Sequence, residues 1–478
     1  MPPPLNWAVG ELAPVLVILA KMRLTSLCLG ASLLSDAVAR ALPSSFSDIH
    51  RRATSTNGTD VITQLTNVAD DPSIAGTNTS VKAAEIVSKL KEDPSTASSV
   101  ESAFAVIESI FSGGVTDLAD AVLDIVSSGL IPSSIFDFLN GYFDSDLNSI
   151  SNVNTRSPET PIYPSKSSND APYSVDEASL RAAIHIPASF SYGANGKKPV
   201  ILVPGTAVPA GSTYYFSFSK LANAAANVDP VWVNIPSASL DDAQVNSEYV
   251  AYAINYISGI SSSNVTVISW SQGGLDTQWA LKYWPSTRDV VEDFIAISPD
   301  FHGTVLEYFV CPGFPTFACT PSIWQQGWDA KFISTLRANG GDSAYVPTTT
   351  LYSSFDEVVQ PMGGDSASAI LSDNRGVGVT NNHAQTICAG KPAGGVYTHE
   401  GMLYNPLSWA LAIDAINHDG PGDPSRLDLD QVCGQLIPPQ LGLDDVLGTE
   451  RLLIVALAEV LGYGNPVSGE PAIKSYAQ

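Results

Sequence analysis

From residue 198 onward, short β-branched runs alternate with stretches of helical periodicity, and this alternation limits the possible folds more than any other feature of the chain. Residues 198–203 form an apolar run that stops at Pro204-Gly205, a second run covers 231–235, and residues 244–257 follow with helical spacing. Residues 265–270 make a strand that enters Ser271-Gln272-Gly273-Gly274, after which 275–283 reads as helix. Further runs at 294–297 and 349–353 end near Asp300 and Asp356. Strands that alternate with helices pair in parallel and are covered on both faces. The expected fold class over residues 173–478 is therefore α/β, a mainly parallel sheet with helices on both faces. In such sheets the functional residues collect at the carboxyl ends of the strands.

Upstream the pattern changes. Residues 46–150 are rich in Ser, Asp and Ala and carry helical periodicity, with Phe104, Ile107 and Phe111 on one face and Leu118, Val122 and Ile125 on another. Gly113-Gly114 and Ile131-Pro132 punctuate this segment, which reads as a separate helical module, either a propeptide or a cap near a pocket mouth. Its apolar faces must be buried against each other or against the aromatic stretch around Phe309 and Phe317. Residues 151–172 shift to Ser, Asn, Thr and Pro and read as a linker. Residues 1–45 read as a targeting region. Within it Met22-Arg23, the apolar run 24–34 and Ala37-Val38-Ala39 have the proportions of a secretory signal, which makes residues 1–21 an upstream extension. No apolar run there approaches the ~20 residues of a membrane span.

The chain has 48 acidic and 23 basic residues, a net charge of −25, which excludes nucleic acid as a partner because phosphates need a basic surface. Of five cysteines, Cys28 lies in the targeting region, leaving Cys311, Cys319, Cys388 and Cys433. Four cysteines allow three pairings, of which Cys311–Cys319 with Cys388–Cys433 is the simplest. Their spacings match no zinc knuckle. Sequons at Asn57, Asn78 and Asn264 agree with an extracellular location.

Ser269-Trp270-Ser271-Gln272-Gly273, between a strand and a helix, has the context of a nucleophile elbow, with Ser269 in place of the first glycine of G-x-S-x-G. A serine hydroxyl needs a histidine to take its proton and an acid to orient that histidine, in the chain order Ser, acid, His. Among the histidines after Ser271, His302 comes directly after the neighbouring strand. His383 stands in a turn before Cys388, and His418 ends an apolar helical stretch. His399 sits on a loop before Gly401 and is preferred. Asp300 and Asp356 each end a strand and are equal candidates for the acid. The oxyanion of a tetrahedral intermediate needs donors, expected from the backbone N–H of Gln272 and from Thr206 after Pro204-Gly205.

Several stretches resemble the Candida antarctica lipase B type of fungal lipase. They are 203–206 (VPGT), 242–249 (DAQVNSEY), 269–278 (SWSQGGLDTQ), 298–305 (SPDFHGTV), 322–326 (SIWQQ), 346–349, 351–353 and 356–361 (DEVVQP). They fall in order across roughly residues 170–471, and that family also lacks the first elbow glycine. The resemblance implies an α/β-hydrolase fold with Ser271, Asp356 and His399 as catalytic residues. Thr206 and Gln272 become the oxyanion hole, Trp270 the floor of an alcohol-side pocket, and Asp300 and Gln326 residues near the acyl group. It also implies a Cys388–Cys433 disulfide. The chain departs from the family in lacking an early disulfide, with His185 and Val231 about where its cysteines would be. It carries Cys311 and Cys319 in the lid-like region, and residues 46–150 have no counterpart there.

The resulting expectation is a secreted, monomeric serine lipase or carboxylesterase. It would act on acylglycerol-type esters at a lipid–water interface through an acyl-enzyme, with no metal or organic cofactor and no transmembrane anchor. A catalytically idle lipid-binding protein on the same scaffold, or an amidase, are the competing readings.

Overall fold

The computed structural model describes residues 61–72, 75–92, 97–113, 117–131, 146–225, 227–311 and 318–478. The targeting region, the sequon at Asn57 and Phe317 lie outside them. Seven strands form one sheet in the order β1-β3-β2-β4-β5-β6-β7. They are β1 Ile184–His185, β2 Lys198–Val203, β3 Val228–Val233, β4 Val265–Trp270, β5 Val291–Ile297, β6 Thr348–Tyr352 and β7 Val379–His383. Every pairing is parallel except β1 with β3. This is the mainly parallel α/β sheet expected from the alternation of strands and helices, and it agrees with the α/β-hydrolase fold that the resemblance implies.

Period-two alternation divides the strands between two cores. Val200, Leu202, Ile268, Ile295, Ile297 and Leu351 face one side, and Ile201, Val203, Val267, Phe294 and Ala296 face the other. The helices used below are, in chain order, α1 Val61–Ala69, α2 Asn78–Lys91, α3 Val100–Phe111, α4 Leu118–Ser127, α5 Ala243–Ser261, α6 Gln272–Tyr283, α7 Glu307–Val310, α8 Pro321–Gln326, α9 Pro406–Asn417, α10 Leu443–Glu450 and α11 Leu452–Gly462. α5 and α6 cover the second face, and α9 lies on the first.

The N-terminal helices belong to the core of the first face. α1 and α4 pack against α11, and α3 packs against α10. α11 is apolar apart from Glu459, which suits a helix enclosed by protein rather than one lying on a surface. The face of Ile107 and Phe111 is buried, and so is that of Leu118, Val122 and Ile125. Phe104 makes edge contacts with Tyr397 and Tyr404, at 5.3 and 5.8 Å between ring centres. The apolar faces of this segment are therefore covered by the two C-terminal helices and by the loop around residue 400.

Residues 151–172 contain neither helix nor strand, yet they are held down along their length. The Asn152 and Asn154 amides donate to the carbonyls of Ala182 and Ile184 at 2.8 Å. Ile162 is buried, and the Ala171 N–H donates to the Tyr283 carbonyl at 2.8 Å. His185 pairs across the sheet with Trp232 and stacks on its ring at 4.3 Å. Both disulfides of the simplest pairing form, Cys311–Cys319 and Cys388–Cys433. Among the described residues no helix is long and apolar enough to cross a membrane.

Candidate active site

β4 ends at Trp270, and Ser271 follows with φ 56° and ψ −133°, a left-handed conformation that a non-glycine residue adopts only when its surroundings enforce it. The enforcement is visible in the neighbouring glycines. A Cβ on Gly205 would come within 2.7 Å of the Ser271 Cβ, and one on Gly273 within 2.6 Å of the Val203 and Pro204 carbonyl oxygens. The small residues of the elbow thus let the β2 loop, the turn and the start of α6 approach one another closely. Ser269 stands in β4 opposite Val203 and Ala296 and is fully buried, a place where a small side chain fits between two neighbouring strands.

His399 lies beside this turn. Its Nδ1 is 2.7 Å from Asp356 Oδ2, and both side chains are buried. Asp356 Oδ1 accepts the backbone N–H groups of Val358 and Val359 at 3.0 and 2.6 Å, which fixes the carboxylate. The other ring nitrogen of His399, Nε2, has no partner within the protein. Ser271 and His399 line the same cavity, so this nitrogen has a place where it can exchange a proton with a hydroxyl. Burial pulls the imidazole toward the neutral form, but the carboxylates of Asp356, Glu357 and Asp300 outweigh it and raise its pKa above the ordinary histidine value.

Asp300 is also brought to this place, but in a different state. Neither carboxylate oxygen has a hydrogen-bond partner, and burial pushes its pKa up to about 7. The two carboxyls that the sequence left equal therefore differ sharply in structure, since only Asp356 is bonded to the ring.

Thr206, Gln272 and Gln326 form a connected group. The Thr206 hydroxyl donates to Gln272 Oε1 at 2.7 Å, and the Gln326 amide donates to the same oxygen at 3.0 Å. The Gln272 amide in turn donates to the Ser239 carbonyl at 3.1 Å. This arrangement holds Thr206 and the first turn of α6 beside Ser271. Thr206 and Gln326 line the same cavity as Ser271 and His399, and its other walls are mostly apolar, with Leu306, Phe309, Ile323 and Val358 among them.

The other histidines lie elsewhere. His383 ends β7 and bonds to the Ser354 and Thr386 hydroxyls. His418 caps α9 and bonds to the Asp414 carbonyl, and His302 is held to a pKa of about 4 by burial and the nearby Arg337. Sequence reasoning missed Glu357 and Ser298. Glu357 accepts the His399 backbone N–H at 2.9 Å, and the Ser298 hydroxyl donates to the His399 carbonyl at 3.1 Å. Both sit in the motif stretches 356–361 and 298–305, where position was the only signal. Glu400 and Glu450 complete a buried carboxyl group with Glu357; burial and then repulsion from Asp356 hold Glu357 above the usual carboxylate range, and burial and then repulsion from Glu357 and Glu450 do the same for Glu400. Burial raises Glu450 as well, against the hydroxyl of Tyr404, which donates to it. Among the described residues no group of three or more His, Cys, Asp or Glu is arranged to hold a metal ion.

Lipase B of Pseudozyma antarctica is 32% identical to this chain over 311 residues, covering 64% of the chain and 85% of that protein. The chain belongs to the lipase B family of ester hydrolases. The crystal structure of Aspergillus fumigatus lipase B has a TM-score of 0.84 with it at 65% identity, covering 88% of this chain and 100% of that one. The second match covers more than residues 173–478 alone can supply, so it extends upstream of residue 173. No family model matches the chain.

Proposed function

We propose that this chain is a secreted lipase or carboxylesterase that cleaves acylglycerol-type esters through a covalent acyl-serine. The observation that carries the reading is the bond from His399 Nδ1 to Asp356, which leaves Nε2 unpartnered in the cavity that also contains Ser271 at its strained turn.

In this reading Ser271 Oγ attacks the ester carbonyl carbon while His399 Nε2 takes its proton. The carbonyl π electrons move to the oxygen, which is met by the backbone N–H groups of Gln272 and Thr206. Before the reaction the Thr206 hydroxyl is engaged with Gln272 Oε1, so it joins the oxyanion only by turning away from that acceptor. Collapse of the intermediate breaks the bond to the alcohol oxygen, which leaves with the proton held by His399. Water then attacks the acyl-serine, giving its proton to His399, and the second intermediate collapses by breaking the bond to Ser271 Oγ, which takes that proton from His399 as the acid leaves. Asp356 holds the ring in one tautomer and faces the imidazolium. Trp270 forms the floor beside the leaving alcohol, and Asp300 and Gln326 stand near the acyl group.

Two disulfides and the exposed sequon at Asn264 support an extracellular location. Action at a lipid–water interface is supported by Val305, Tyr308 and Trp328. These exposed side chains flank the cavity-wall residues Thr304 and Leu306.

A fluorophosphonate probe should label wild-type protein at Ser271 and leave Ser271→Ala unlabelled. The same variant should lose about 10⁴-fold or more in p-nitrophenyl butyrate hydrolysis while keeping its thermal transition. Labelling of another residue, or activity near wild type in Ser271→Ala, would sink the assignment.

A further inference from the structure

Resting on that reading, we infer that Leu118, from the N-terminal helical segment, is part of the wall that limits the length of the substrate's hydrocarbon chain. Among the described residues, the cavity that contains Ser271 and His399 has one lining residue that precedes Thr206 in the chain, and it is Leu118. It shares the apolar lining with Leu452, Leu453 and Ala456 of α11, the helix against which α4 packs.

Its position is fixed by the architecture of α4. Leu118 is the first residue of that helix and is 1% exposed. The preceding residue, Asp117, caps the helix by accepting the Asp120 backbone N–H at 2.9 Å. Lys82 of α2 then ties Asp117 and Asp120 together at 2.9 and 2.8 Å, with its ammonium largely shielded from solvent. The remainder of α4 is anchored by Val122 and Ile125, both fully buried, in the core shared with α11. Leu118 is therefore presented to the cavity from a helix end held by a cap, an ion-pair bridge and a packed face. A side chain so restrained acts as a stop rather than a hinged flap.

The physical consequence is a chain-length preference. Admitting or excluding one methylene in an apolar channel changes its free energy by about 0.8 kcal/mol, which is about fourfold in kcat/KM. Shortening Leu118 lengthens the available channel, and enlarging it shortens the channel. A residue that merely holds the core together would alter stability without reordering the substrates.

The test measures kcat/KM for full-length wild type, Leu118→Ala, Leu118→Phe and Ile125→Ala on two ester series. One is p-nitrophenyl esters with acyl chains from C2 to C16, and the other is butyrate esters of linear alcohols. The readout is the ratio of long-chain to short-chain kcat/KM within each protein, so a loss of active fraction cancels. In at least one series the ratio should rise about fivefold or more in Leu118→Ala and fall by a similar factor in Leu118→Phe. Ile125→Ala, which loses buried volume on the same helix but does not line the cavity, should keep the wild-type ratio. If either Leu118 variant fails to fold, the other still tests the direction. Ratios equal to wild type in both series, or the same shift in Ile125→Ala, would overturn the inference. Absence of ester hydrolysis by the wild-type protein would overturn the parent reading instead.

Discussion

The indole Nε1 of Trp270 donates to the backbone carbonyl of His399 at 3.0 Å, so the residue before the proposed nucleophile grips the residue proposed as its base. The same carbonyl accepts the Ser298 hydroxyl at 3.1 Å, and the His399 N–H is taken by Glu357 at 2.9 Å. The ends of β4 and β5 and the loop after β6 thus hold one peptide segment. The separation between Ser271 and His399 is set by backbone anchors as well as by the bond to Asp356.

Trp270→Phe keeps an aromatic ring in place but removes the indole donor. A buried hydrogen bond of this kind contributes about 1 kcal/mol. kcat on p-nitrophenyl butyrate should fall roughly fivefold to tenfold, with a smaller change in KM and no large loss of thermal stability. Unchanged kcat would show that Ser298 and Glu357 suffice to hold the loop.

Asp356→Asn should reduce kcat by several orders of magnitude, because the amide stabilises the wrong histidine tautomer. The residual activity should also change its pH dependence. The proposed base is neutral His399, whose pKa is raised by nearby carboxylates once they have overcome burial. Removing the Asp356 charge should therefore move the acid limb of kcat/KM to lower pH. Asp300 lacks a bond to the ring, so Asp300→Asn should retain most turnover and change the relative rates on different acyl groups. A pH–rate profile for each variant tests both statements, and a greater loss in Asp300→Asn would reverse the two roles.

Buried carboxyls should make the protein less stable as pH rises from acid to neutral. Asp293 in β5 has no hydrogen-bond partner on either oxygen, and burial pushes its pKa from 3.8 up to about 7. Glu292 and Asp419 add to the rise, and Lys198 opposes it. Between these two values the unfolded chain has lost the proton while the native protein keeps it, so stability falls with pH through that window and then levels off. Asp293→Asn removes this contribution. Urea unfolding should show the variant gaining on wild type by on the order of 1–3 kcal/mol between pH 4 and pH 8. Parallel stability curves over that range would contradict the buried state of Asp293.

Local features of the site were legible in the chain. The boundaries of β4 and β6 follow from β-branched runs, and the elbow follows from small residues between a strand and a helix. β7 was not legible, because Val379-Thr380-Asn381-Asn382-His383 lacks such a run and depends on pairing with β6. Periodicity also could not separate Asp300 from Asp356, since both end strands of the same sheet. What distinguishes them is a 2.7 Å contact across 43 positions of chain, which no local pattern records. The helical faces of the N-terminal segment were readable, but the partner that buries them was not, because it is formed by the last two long helices.

That partnership has a consequence for biosynthesis. α1 ends at Ala69, and the helix that covers it begins at Leu452, 383 positions later. A ribosome adding about 5–20 residues per second needs roughly 20–80 s to synthesise the intervening chain. During that time α1, α2 and α4 can pack on one another, but the sides of α1, α3 and α4 that meet α10 and α11 stay uncovered, and any chaperone that shields them must remain bound until translation is nearly complete.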